Sequence, residues 1–123
     1  MAVRFDLKVD QGSTYNRVFT YKNSNGSLID LTGFTSRMQI RESYQATSVI
    51  LELNTANAGI VLGGTLGTIT LNITPAQTLA INMNSLVGIP PYQNYVYDLE
   101  LINGTNIKKL INGFFTLIEA VSR

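Results

Sequence analysis

The chain has 123 residues, an ordinary size for one domain, and its 9 Lys and Arg nearly balance 8 Asp and Glu for a net charge of +1. It has no cysteine and no histidine, which removes disulfide scaffolds, thiolate metal sites, the Cys nucleophile and the commonest general base. Charged residues make up only 14%, and the scattered Lys and Arg form no basic stripe, so nucleic acid and anionic membrane are set aside as primary partners.

Phe5, Leu7 and Val9 alternate with Asp6, Lys8 and Asp10, which predicts a first strand ending at Gln11-Gly12-Ser13. Tyr15 to Lys22 is a second, with Arg17, Phe19 and Tyr21 on one face, and Asn23-Ser24-Asn25-Gly26 turns the chain. Leu28 to Leu31 reads as a short returning strand. After Thr32-Gly33 comes the clearest alternation: Phe34, Ser36, Met38 and Ile40 oppose Thr35, Arg37, Gln39 and Arg41, one face packed and the other wet. Val49 to Leu53, Ile60 to Leu62 and Thr68 to Thr74 follow as strands.

Thr74-Pro75 is a helix start, with Thr74 as N-cap, Pro75 in the first turn, and Ala76, Leu79, Ala80 and Met83 at helical spacing. Gly88 and Pro90-Pro91 then make an irregular approach to a last hairpin, Tyr95 to Ile102 and Ile107 to Val121, joined by Asn103-Gly104. Two- to four-residue turns all leave its register imperfect. A bulge at Gly113 reconciles them by letting Leu110 face in before it and Phe115 and Leu117 after it. Seven to nine short strands with a turn about every ten residues predict an all-β sandwich or small barrel with one short helix, a single domain over residues 1–123.

The surface has Asn, Thr, Ser and Gln where charge is missing, which suits a face covered in an assembly. Charge in the first residues and the lack of any long apolar run predict a chain made and used without a signal peptide or transmembrane helix. Asn25, Asn72 and Asn103 begin Asn-X-Ser/Thr triplets, read as turn and strand chemistry rather than glycan acceptors.

Few groups offer chemistry. Asp98 and Glu100 share a strand face roughly 7 Å apart, a spacing that could bracket a glycosidic bond. Pairing with Lys108 or Lys109 across the hairpin is the better reading. Gly59, Gly63, Gly64 and Gly67 lack the Lys-Ser/Thr and the helix of a phosphate cradle, and Asp6, Asp10 and Asp30 lack calcium-loop spacing. No catalytic residue, metal or cofactor is assigned. Candidate partner contacts are Arg37, Gln39 and Arg41 on one polar strand face, exposed Tyr44, and Tyr92 beside Pro90-Pro91.

The segments FDLKVDQGSTYNRVFTYKNSNGSLIDLTGFTSRMQIRES and YVYDLELINGTNIKKLINGFFTLIEAVSR resemble a family of small structural proteins from tailed-bacteriophage virions. The carrying pieces are the strand into Gln11-Gly12-Ser13, Ile29 to Thr35, Arg37 to Arg41, the Gly-rich middle, and Tyr97-Asp98-Leu99-Glu100 before a strand with Gly113. Such proteins are similar to the amino-terminal domain of phage baseplate upper proteins. The resemblance implies an immunoglobulin-like antiparallel β-sandwich. It further implies a non-enzymatic tail or baseplate adaptor in the virion, assembled in the bacterial cytoplasm and bound to other virion proteins and its own copies. The edge Phe5 to Asp10 and the segment after Gly113 are expected to accept added strands. The alternatives are a capsid decoration protein and a carbohydrate-binding module using Tyr44 and Tyr92.

Overall fold

The computed structural model describes residues 3–81 and 92–119. Its strands are β1 (Val3–Arg4), β2 (Leu7–Asp10), β3 (Tyr15–Thr20), β4 (Thr35–Arg41), β5 (Leu51–Asn54), β6 (Ile60–Leu62), β7 (Thr68–Ile73), β8 (Tyr92–Asn103) and β9 (Asn106–Ile118), with a single short α-helix, α1 (Pro75–Leu79), and a 3-10 turn at Gly64–Leu66 among the described residues. They form two sheets. One runs β1-β9-β8-β4-β5, with β2 also on β9, and the other runs β3-β7-β6. This is an immunoglobulin-like β-sandwich, antiparallel except that β1 and β2 both lie parallel to β9.

Alternation builds the core. Leu7, Val9, Met38, Ile40, Leu53, Tyr95, Leu99, Phe115 and Leu117 from the first sheet face Ile60, Ile69, Leu71 and Ile73 from the second, each no more than 1% exposed. At about 1.5–3 kcal/mol for each fully buried large aliphatic or aromatic side chain, these positions fix which face of every strand is inside.

The helix starts where Thr74 and Pro75 predict it, with a capping box: the Gln77 N–H donates to Thr74 Oγ1 at 3.2 Å and the Thr74 N–H donates to Gln77 Oε1 at 2.8 Å. Its inward residue is Thr78, fully buried, whereas Leu79 is 41% exposed. Thr78 Oγ1 accepts from the Gly12 N–H at 2.8 Å, so a hydroxyl and not an apolar stripe seats the helix on the β2–β3 turn. Met83, Gly88, Pro90-Pro91 and Val121 lie outside the described residues.

Three expectations need correction. Leu28 to Leu31 is not a strand: it makes an isolated bridge, Lys22 to Leu28, and the Leu31 N–H donates to the Gly64 carbonyl at 2.8 Å, while Asp30 turns the chain by accepting the Thr32 N–H at 2.9 Å. The bulge is at Leu110 and not at Gly113: Leu99 pairs with Ile111 while Glu100 pairs with Lys109, leaving Leu110 unopposed. Both Leu110 and Ile111 are consequently buried, and Phe115 and Leu117 face in as expected. Finally, the segment after Gly113 is not an edge, since β9 is paired on both sides.

Gly113 has a different task. Its φ is +157°, and a Cβ there would fall 2.8 Å from Asp6 Oδ1 and still closer to the Phe5 carbonyl oxygen. Between β1 and β2 the chain presses onto β9 at this point. Phe5 N–H donates to the Asn112 carbonyl at 2.8 Å, Phe114 N–H donates to Asp6 Oδ1 at 2.9 Å, and the Tyr97 hydroxyl donates to the Phe5 carbonyl. Only a residue without a side chain admits that approach.

Candidate partner-binding face

The outward face of the larger sheet carries the polar half of each alternating strand. Register sets the rows. Asn54 on β5, Arg37 on β4, Glu100 on β8 and Lys109 on β9 lie side by side in one row, and Glu52, Gln39, Asp98 and Asn112 in the next. The Leu110 bulge places Lys109 opposite Glu100; without it the slip of one residue would put an apolar side chain there.

Hydrogen bonds tie the rows together. Arg37 Nε donates to Glu100 Oε1 at 2.9 Å, and Lys109 Nζ donates to the other oxygen of Glu100 while lying 3.5 Å from Asp98 Oδ2. Gln39 Nε2 and Asn54 Nδ2 donate to the two oxygens of Glu52 at 2.8 and 2.7 Å. Arg41 Nη2 donates to Gln39 Oε1 at 2.9 Å and Arg41 Nη1 to the Ala46 carbonyl at 2.6 Å, which ties the loop after β4 to the sheet.

Glu100 is covered by its partners, its side chain only 3% exposed. Burial alone pushes its carboxyl up, but the hydrogen bonds and charges of Lys109 and Arg37 outweigh it and hold the pKa below the ordinary value. The same contact raises Lys109. Glu52 is lowered by the donors on Gln39 and Asn54. A carboxylate held ionised with both oxygens occupied is the reverse of a glycosidase general acid, whose pKa is raised. The cross-hairpin reading of these acids therefore fits, with Lys109 as the partner; Lys108 instead lies 5.3 Å over the Tyr21 ring.

Arg37, Gln39, Arg41 and Tyr44 line one depression of about 230 Å³ together with Asp98, Glu100 and Lys109. Arg37 and Lys109 are spent on carboxylates, whereas Arg41 has no ion-pair partner among the described residues. Beside it Tyr44 is 68% exposed. The arrangement offers a planar cation with unused N–H donors next to a bare aromatic ring, suited to holding a carboxylate or a carbonyl of a partner. Tyr92 is not brought in: it pairs with Ile118 and lines a separate hollow with Lys8, Asn94 and Thr116. Sequence reasoning missed Glu52 and Asn54, which the Leu51-Glu52-Leu53-Asn54 alternation marks as outward neighbours of β4, and it put at Gly113 the bulge that at Leu110 selects Lys109.

No family model and no curated protein matches the chain. Among solved structures it is similar to Tim-1, at 12% identity and a TM-score of 0.35 over 100% of this chain and 99% of that one.

Proposed function

We propose that this chain is a non-enzymatic structural protein of a tailed-bacteriophage virion, a tail or baseplate adaptor that acts by protein–protein contact. The family reading rests on the sequence resemblance. What supports a contact role is the outward sheet face, and above all Arg41, which has no ion-pair partner among the described residues, beside exposed Tyr44. The surrounding side chains are already fixed by one another, so a partner meeting this face orders few of them and loses little rotamer entropy. Arg and Tyr are also the residue types that most often anchor interfaces.

The test is incorporation. Quantitative mass spectrometry of purified particles is expected to find the protein at a stoichiometry fitting a tail ring, and Tyr44→Ala, at an exposed ring, is expected to lower its occupancy while leaving the unfolding midpoint unchanged. Absence from particles refutes the virion reading; a copy number fitting the capsid lattice moves it to the head.

A further inference from the structure

A second depression, about 380 Å³, opens where β1 of one sheet approaches β3 of the other, walled by Val3, Phe5, Phe19, Ile69, Leu110 and Ile111. Val3 is 65% exposed on this wall. Along its rim β3 is paired with β7 over all six residues, and among the described residues nothing pairs with its other side and residues 15–20 make no further backbone hydrogen bond. A free strand edge over an apolar groove is a template for an added strand. Tyr15–Thr20 has neither a bulge nor a proline to protect it, and its one charge, Arg17, pairs with Leu71 on the inner face, where a carboxylate of an added strand can meet it.

The charges at this place have one sign. Lys22 lines the groove, Arg17 lies over the Phe5 and Phe19 rings at 4.5 and 5.7 Å, and Lys108 lies over Tyr21, another lining residue. None of the three has an ion-pair partner among the described residues, and no carboxylate lines the groove. Asp6, next to Phe5, is already engaged by Arg4 and by the Phe114 N–H. A second copy of the chain is a poor occupant, because β3 against β3 would set these cations against their own duplicates.

We propose that β3 takes an extended acidic segment of a partner protein as an added strand, with alternate apolar side chains filling the groove and carboxylates meeting Arg17, Lys22 and Lys108. This site is separate from the Arg41 face and stands whether or not that face binds in a virion.

The probe is a capped, fluorescein-labelled peptide alternating valine and glutamate, read by anisotropy and by amide hydrogen exchange on the full chain. Saturable binding is expected, with slowed exchange in residues 15–20. Replacing glutamate by lysine in the peptide, or introducing Val3→Asp or Lys22→Glu in the protein, is expected to weaken it at least about tenfold. Both protein positions are exposed, and unchanged unfolding midpoints separate lost binding from lost fold. No binding by about millimolar peptide, equal binding of the lysine peptide, or protection on β5 or β6 in place of β3 overturns the proposal. So does a concentration-dependent dimer of the free protein that Val3→Asp abolishes, since that gives the groove to a second copy.

Discussion

Replacing Gly113 by alanine tests the point where the amino-terminal strand presses onto β9. The new methyl group would meet the Phe5 carbonyl carbon at 2.9 Å and Asp6 Oδ1 at 2.8 Å, and the backbone at φ +157° is one that alanine rarely adopts. The backbone term costs roughly 1–3 kcal/mol. Relief requires Phe5 to move away, which breaks the Tyr97 hydroxyl bond to its carbonyl and disturbs the Asp6 bond to the Phe114 N–H, at about 1 kcal/mol each. The sum is about 3–5 kcal/mol, or roughly 10–20 °C in midpoint for a domain of this size. Urea and thermal unfolding measure it against Gly26→Ala, where φ is +89° but no atom lies within 4 Å of the new Cβ, so only the backbone term applies. Equal losses for the two variants would refute the close-approach argument.

Two other perturbations read the interior and the ion-pair row. Tyr95 is 1% exposed and its hydroxyl has no hydrogen-bond partner among the described residues, so Tyr95→Phe is expected to raise stability by about 1 kcal/mol; a loss of that size in denaturant titration would reveal a partner. Glu100 has a folded-state pKa below the ordinary 4.5, so its contribution is present above that value and is lost as pH falls through the folded pKa. Lys109 is shifted up from 10.5, so its share is present below that value and lost as pH rises through the folded one. Glu100→Gln should flatten both limbs of stability against pH, and acid limbs that stay parallel to the wild type count against the row.

The strands with strict alternation were readable because one face of each is buried. Met38 and Ile40 against Arg37, Gln39 and Arg41 left no other register, and four of the five candidate contacts follow from it or adjoin it. Tyr92 lies apart from the other four, because proximity in sequence to other tyrosines says nothing about which end of a twelve-residue strand it occupies. The bulge was seen as necessary but misplaced: Leu110 and Ile111 are both apolar, so hydrophobicity cannot tell which is the extra residue, while glycine drew attention to a position whose constraint comes from Phe5. That constraint, and the parallel pairing behind it, involve residues about a hundred positions apart, beyond the reach of any local pattern. At α1 the periodic apolar residues pointed to Leu79, and a buried hydroxyl bond outweighed them.

The parallel seat of β1 and β2 on β9 also dictates an order of events. Leu7 to Asp10 pair with Phe115 to Ile118, so during synthesis these residues have no ladder partner until nearly all the described chain after them has left the ribosome. Closing so long a loop is slow and gains little before the β8–β9 hairpin exists to receive it. Pulse-labelled refolding is expected to protect the β8 and β9 amides no later than those of β2. During that interval Leu7 and Val9, both buried in the finished sandwich, are exposed to whatever chaperone or neighbouring chain is at hand.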